Sequence, residues 1–190
     1  MQTSYASSAM TFALALAVGA IWVLGAVPEA RGEPAPITAE PLTERQPFSG
    51  DVSVRITQAL DGLSNHEVEM DDASHLVVVR FTIQPGVVFP WHTHPGSVLI
   101  SVAEGDFVFL FAEDCVERKY GAGTALVDPG NTVHTSFNPS ADTETVVIAT
   151  LIGVPAEGAL TIPVSEEEGV ALDRKCGIDR DAIAAGHGDH

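Results

Sequence analysis

One stretch of this chain, from Gly86 to Gly105, constrains the fold more than any other. It places His92 and His94 two residues apart, among apolar residues typical of strands. Because side chains at i and i+2 of a strand point to the same face, both imidazoles should enter one pocket. A third histidine, His134, lies in another short β-type run, Thr-Val-His-Thr-Ser-Phe-Asn. Three imidazoles that converge from neighbouring strands would form a site for a divalent metal ion.

Short β-type runs separated by turn residues fill the chain from about residue 52 to residue 164. Each run is rich in β-branched and aromatic residues, and Gly, Pro, Asp or Asn separates it from the next. The pattern predicts an all-β sandwich or barrel of roughly eight or nine strands and no long helix. The predicted strands are Val54–Leu60, His75–Ile83, Ser97–Ala103, Phe107–Ala112, Thr124–Val127, Thr132–Phe137, Thr143–Leu151 and, last, Ala159–Val164.

The histidine pair belongs to a longer spaced pattern. Gly86 is followed by five residues and then by His92-Thr93-His94, and Gly105 closes the pattern. A second spaced pattern begins at Gly123, which is followed by five residues and Pro129.

In this second pattern His134 and Asn138 fall in register after Pro129, and Asn131 stands where a glycine would be usual. That exchange is tolerable because Asn also enters the left-handed backbone region. We expect Asn138 to hold a turn through its side chain.

These two motifs, in this order, resemble the two motifs of the cupin family over residues 52–164. The resemblance implies an all-β cupin fold, the double-stranded β-helix or jelly-roll barrel. It also implies a metal site at His92, His94 and His134, a small-molecule ligand or substrate, and a homodimer paired through the sheets.

One position departs from the family pattern. The glutamate that usually completes the cupin metal site would lie at position 98, where this chain has Val98. The resemblance therefore implies a three-histidine site without the carboxylate, as in the thiol dioxygenases. Loss of a hard oxygen ligand should favour the metals that imidazole suits, namely iron, zinc, copper or nickel, over manganese.

Three functions fit these motifs. The first is a metal-dependent enzyme, such as an oxygenase, that acts on a small molecule. The second is a non-catalytic barrel that binds a small ligand without requiring a metal, and the third is a remnant of the fold that binds nothing specific. A general base is not evident, because no Asp or Glu is adjacent to the histidines in sequence, and a distant strand is the alternative source of one. Asp128-Pro129-Gly130 is predicted as a turn.

Both ends of the chain are expected to lie outside the barrel. Residues 1–32 contain an uncharged apolar run at 11–27 and then Ala30-Arg31-Gly32, which predicts a cleaved export signal or, as the alternative, a membrane anchor. Residues 33–51 are rich in Pro, Glu and Thr and predict a flexible linker. Residues 165–190 predict an acidic, partly disordered tail with a helical turn or two at 179–185.

Net charge and cysteine content indicate which partners and which cellular compartment fit the protein. The net charge of -17 argues against binding to nucleic acid or to anionic membrane surfaces. Cys115 and Cys176 are the two cysteines, and an even number in an exported chain favours one disulfide, with two free thiols as the alternative. We therefore expect a periplasmic or secreted protein, or a membrane-anchored one if residues 11–27 are retained.

Overall fold

The structure is a computed structural model that describes residues 34–60 and 66–186. The predicted signal or anchor at residues 1–32 lies outside the described residues. None of the helices in the described ranges has the length and apolar character needed to cross a bilayer.

The described chain forms thirteen strands followed by two helices. They are β1 (Ile37–Pro41), β2 (Gln46–Pro47), β3 (Val54–Gln58), β4 (His66–Met70), β5 (His75–Ile83), β6 (His92–Thr93), β7 (Ser97–Glu104), β8 (Asp106–Phe111), β9 (Arg118–Gly121), β10 (Ala125–Asp128), β11 (His134–Phe137), β12 (Thr145–Val154), β13 (Ile162–Pro163), α1 (Glu166–Cys176) and α2 (Arg180–Ala184).

Two antiparallel sheets enclose the core. One has the strand order β1-β5-β12-β7-β10, with β2 also paired to β5, and the other has the order β13-β6-β11-β8-β9. β3 and β4 form a separate hairpin. In the first sheet, inward side chains alternate with outward ones, as in β7, where Val98, Ile100 and Val102 are buried. This architecture confirms the predicted all-β jelly roll.

The predicted strands with strong apolar content all appear, within a few residues of their predicted ends. Apart from the strands in residues 33–51 and the short β6 at the histidine pair, two described strands were not predicted, β4 with the sequence His-Glu-Val-Glu-Met and β9 with Arg-Lys-Tyr-Gly. Both are polar and short, and each forms by pairing with a preceding strand rather than by burying an apolar face. Periodicity alone cannot detect such strands.

The segment predicted as a flexible linker, residues 33–51, instead contributes two edge strands. β1 pairs with β5 over five positions, which places Ile37 opposite Ile83, and Ile37 packs against the core. Proline within this segment is compatible with pairing because an edge strand leaves one row of backbone groups unpaired. The Pro and Glu content that suggested a linker therefore reflects an edge position.

The predicted loose tail, residues 165–190, is also ordered where it is described, since it contains α1 and α2. The Ser165 side chain accepts a hydrogen bond from the backbone N–H of Glu168 and caps α1, and Gly177 ends it in the left-handed conformation, with φ of 71°. After α1, Ile178 and Ile183 are buried against Val108 of β8. The helical segment thus covers the outer face of the second sheet.

Two further links hold this segment in place. Cys115 and Cys176 form a disulfide across 61 residues of sequence, the pairing that the cysteine count favoured. The indole N–H of Trp91 donates to Asp173 at 2.8 Å, and the guanidinium of Arg180 bonds the same carboxylate at 2.7 Å. Trp91 is itself buried, so α1 is tied directly to the strand that begins at His92.

Candidate metal centre

The structure brings the three predicted histidines together. His92 begins β6 and His134 begins β11, and the two are directly opposite each other in the antiparallel ladder. His94 follows β6, and its backbone N–H donates to the carbonyl of Gly130 at 2.8 Å. The candidate ligand atoms of the three histidines all lie within 4.8 Å of one another.

Hydrogen bonds to backbone carbonyls orient all three imidazoles. Nδ1 lies 2.6 Å from the Pro90 carbonyl in His92, 2.6 Å from the Leu160 carbonyl in His94 and 2.9 Å from the Thr132 carbonyl in His134. A carbonyl oxygen only accepts, so Nδ1 must carry the proton. The neutral ring then has its lone pair on Nε2, which is the form that binds a metal ion.

Burial keeps two of these rings neutral. His92 and His134 are 5% and 2% exposed. Removal from solvent lowers the pKa of each to about 3, and the charge of a neighbouring histidine adds to the effect, against the raising influence of the backbone hydrogen bond. Both imidazoles are therefore uncharged at neutral pH and need lose no proton to become ligands.

A carboxylate that the sequence did not assign to the site lies beside two of the histidines. Asp128 ends β10 and is fully buried. Its Oδ2 lies 3.4 Å from Nε2 of His94 and 3.3 Å from Nε2 of His134. Neither contact is a hydrogen bond, and Oδ2 has no hydrogen-bond partner among the described residues.

The other oxygen of Asp128 has a structural role. Oδ1 accepts from the backbone N–H of Gly130 at 2.8 Å, which is the turn that the sequence predicted. Burial raises the pKa of Asp128 to about 6. Three weaker effects lower it, in decreasing order the charge of His94, the Gly130 hydrogen bond and the charge of His66. Without a cation beside it, the buried Asp128 carboxylate therefore takes up a proton more readily than an exposed one does.

Sequence reasoning missed Asp128 because the decisive signal is the register of the sheet. Asp128 lies directly opposite Val98, the position of the missing family glutamate, in the ladder between β10 and β7. Side chains opposite each other in an antiparallel pair share one face of the sheet. The turn motif around Pro129 was visible in the sequence, but this pairing was not.

The three histidines border an apolar cavity of about 80 Å³ inside the barrel. Its polar lining consists of these rings with Ser136 and Thr161. The remaining lining residues are apolar, namely Val79, Phe81, Phe89, Val98, Ile100, Phe107, Phe109, Val147, Ala149, Leu151 and Leu160. Phe109 stacks on the His134 ring with 4.8 Å between centroids and fixes its plane.

The other histidines of the described chain are not part of the cluster. His66 makes an edge contact with Phe111, with 5.1 Å between ring centroids, and His75 bonds the Ser74 hydroxyl through Nδ1 at 2.8 Å. The donor set at the site is therefore three imidazole nitrogens with one carboxylate oxygen beside them. Nitrogen and oxygen donors of this kind suit zinc, iron, copper and nickel, so the residues present fit a divalent ion.

Comparison with known proteins agrees with the fold. Residues 79–151 match the sequence model of the cupin domain family. No curated protein matches the chain.

Three solved structures illustrate the structural similarity. The polyketide cyclase RemF from Streptomyces resistomycificus is 16% identical, with a TM-score of 0.43, over 57% of this chain and 72% of its own. A cupin-like protein from Thermotoga maritima is 26% identical, with a TM-score of 0.41, over 51% of this chain and 72% of its own. The DMSP lyase DddQ from Ruegeria pomeroyi is 23% identical, with a TM-score of 0.41, over 48% of this chain and 45% of its own.

The lowered histidine pKa values predict how the stability of the metal-free protein depends on pH. Between pH 6.5 and about 3, an unfolded chain protonates His92 and His134 while the folded chain does not, so their contribution to the free energy of unfolding falls as the pH falls. Asp128 acts in the opposite direction between pH 6 and 3.8, over a narrower range.

Chemical denaturation of metal-free protein from pH 7 to pH 4 measures this dependence. We expect the His92→Gln variant to lose less stability than the wild type over that range, because one of the two buried histidines has been removed. Equal losses in the two proteins would contradict the assigned pKa of His92.

Proposed function

Because residues 79–151 match the cupin domain family, we propose that the barrel holds one divalent metal ion and uses it as the centre of an enzyme for a small, largely apolar molecule. His92, His94 and His134 would hold the ion through Nε2. The observation that carries this proposal is the set of three Nδ1 hydrogen bonds to backbone carbonyls, which leaves three Nε2 lone pairs facing one region.

The surrounding residues support chemistry in a dry site. A bound ion would supply Lewis-acid catalysis and, for iron or copper, redox chemistry with dioxygen. The phenylalanine and aliphatic side chains of the cavity exclude water, which strengthens electrostatic interactions at the centre. A cavity of about 80 Å³ selects a small molecule, or one small end of a larger molecule.

One observation favours a second candidate, a non-catalytic barrel that binds a small ligand. Apart from the three histidines, no ionisable side chain lines the cavity among the described residues, so no separate general acid or base faces a ligand there. A centre of this kind could retain a ligand without converting it.

Export is part of the proposal. The disulfide Cys115–Cys176 favours an oxidising compartment, such as the periplasm or the extracellular medium, and residues 1–32 supply the predicted signal. We also propose the homodimer that the resemblance implies, and sedimentation of the purified protein would test it.

Expression of the full chain in a bacterial host tests export. We expect intact-mass analysis of the periplasmic fraction to show a chain that begins close to residue 33 and carries no free thiol. A full-length chain found with the membranes would instead support the anchor at residues 11–27, and two alkylatable thiols would contradict the oxidising compartment.

Metal content tests the centre itself. We expect about one divalent ion per chain in protein purified without a polyhistidine tag, and about 100-fold weaker binding after His94→Gln, because one of three nitrogen ligands is lost. Elemental analysis and competition with a chelator provide both measurements. His75→Gln, which changes a histidine outside the cluster, is the matched control and should bind as the wild type does.

Turnover distinguishes the two candidate functions. We expect metal-loaded wild-type protein to consume dioxygen or convert a member of a panel of small apolar acids, thiols and alcohols, and the His94→Gln variant to show neither activity. If native mass spectrometry instead finds a retained ligand that is released unchanged, the non-catalytic candidate is the correct one.

A further inference from the structure

We infer that Asp128 supplies the carboxylate of this metal centre, in place of the glutamate that the family carries at the position of Val98. The inference rests on the proposed function, because it assigns a fourth ligand to the same ion. The carboxylate would have moved from one strand to the residue directly opposite it on the neighbouring strand.

The register of the sheet makes this exchange geometrically possible. Asp128 of β10 and Val98 of β7 are direct partners in the antiparallel ladder. Partners of this kind have Cβ atoms about 4.5–5.5 Å apart and point to the same face. Val98 lines the cavity beside the histidines, and Oδ2 of its partner Asp128 lies next to two of those histidines.

The distances from Asp128 to two of the three histidines fit a shared ion better than they fit hydrogen bonds. Two ligands bound at about 2.1 Å to one tetrahedral ion lie about 3.4 Å apart. Oδ2 of Asp128 is 3.4 Å from Nε2 of His94 and 3.3 Å from Nε2 of His134. A charge-assisted hydrogen bond would bring the same atoms to about 2.7–2.9 Å.

The local structure holds Oδ2 in this position. Oδ1 is fixed by the Gly130 N–H, and the carbonyl of Gly130 accepts from the His94 N–H, so one turn positions both a carboxylate and an imidazole. The hydroxyl of Ser97 donates to the Pro129 carbonyl at 3.0 Å and ties the same turn to β7. Oδ2 is then a buried acceptor, without a donor among the described residues, that faces two further lone pairs. A cation at the common point would satisfy all three atoms.

The Asp128→Asn variant separates this role from a structural one. The amide keeps an Oδ1 acceptor for Gly130, and its NH₂ group can donate to the Nε2 atoms that Oδ2 now faces. We therefore expect the metal-free variant to be at least as stable as the metal-free wild type. Its affinity for zinc, measured by chelator competition, should fall about 100-fold, and the visible absorption bands of its cobalt complex should shift, because an oxygen ligand has been lost.

Restoring the family carboxylate is the second arm of the test. In the Asp128→Asn/Val98→Glu double variant, glutamate returns to the opposite strand, and we expect zinc affinity to recover at least tenfold over Asp128→Asn alone. The Val98→Glu side chain enters a packed position, so denaturation must first show that the double variant folds. If the double variant does not fold, the Asp128→Asn measurements alone decide whether Asp128 is a metal ligand.

The outcomes separate this inference from the proposed function. Wild-type protein that binds no divalent ion overturns both. Asp128→Asn protein that binds zinc within threefold of the wild type overturns the fourth ligand and leaves the three-histidine centre intact. An affinity loss accompanied by lower metal-free stability, or one that a folded double variant does not relieve, also overturns the inference, because the loss then comes from the disturbed turn.

Discussion

Three hydrogen bonds between imidazole nitrogens and backbone carbonyls determine which nitrogen of each histidine is available to bind a metal ion. Two of the carbonyls, those of Pro90 and Thr132, lie two residues before the histidine that they bind, and the third, that of Leu160, comes from a distant segment. Backbone carbonyls, rather than carboxylates, therefore accept the Nδ1 hydrogen bonds and select the tautomer. The carboxylate of Asp128 lies instead on the Nε2 side of His94 and His134, where a ligand would be needed.

The helical segment outside the barrel supports the same strand from the opposite face. Successive residues of a strand point to opposite sides, so Trp91 faces outward where His92 faces inward. The Trp91 indole bonds Asp173 of α1, and Arg180 bonds both Asp173 and the Phe89 carbonyl. The disulfide at Cys176 closes the end of α1 onto the segment after β8. The tail thus fixes the segment that carries the histidine pair, although none of its described residues belongs to the histidine cluster.

The sequence predicted those parts of the structure that depend on local spacing. The His92-Thr93-His94 spacing and the glycines around it indicated convergence on one pocket, and apolar β-type runs indicated most of the barrel strands. Features that depend on pairing across the sheet were not predictable in this way. β1 looked like a linker because its pattern is that of an edge, and the tail looked loose because α1 is polar and its residues are at least partly exposed. A stronger signal was available in β8, whose continuous apolar run Phe107–Phe111 implies burial on both faces and hence a cover.

The burial of Asp128 is the feature of the site that its local sequence predicts least. In sequence Asp128 is the first residue of a turn, and that role is real, since Oδ1 caps Gly130. A turn alone does not require burial, however, and an isolated carboxylate costs several kcal/mol when it is removed from water. In a barrel that binds no cation, asparagine at this position would keep the cap without burying a charge. A buried acid that faces two imidazole lone pairs is therefore difficult to explain by folding alone, and it is simply explained by a cation bound between them.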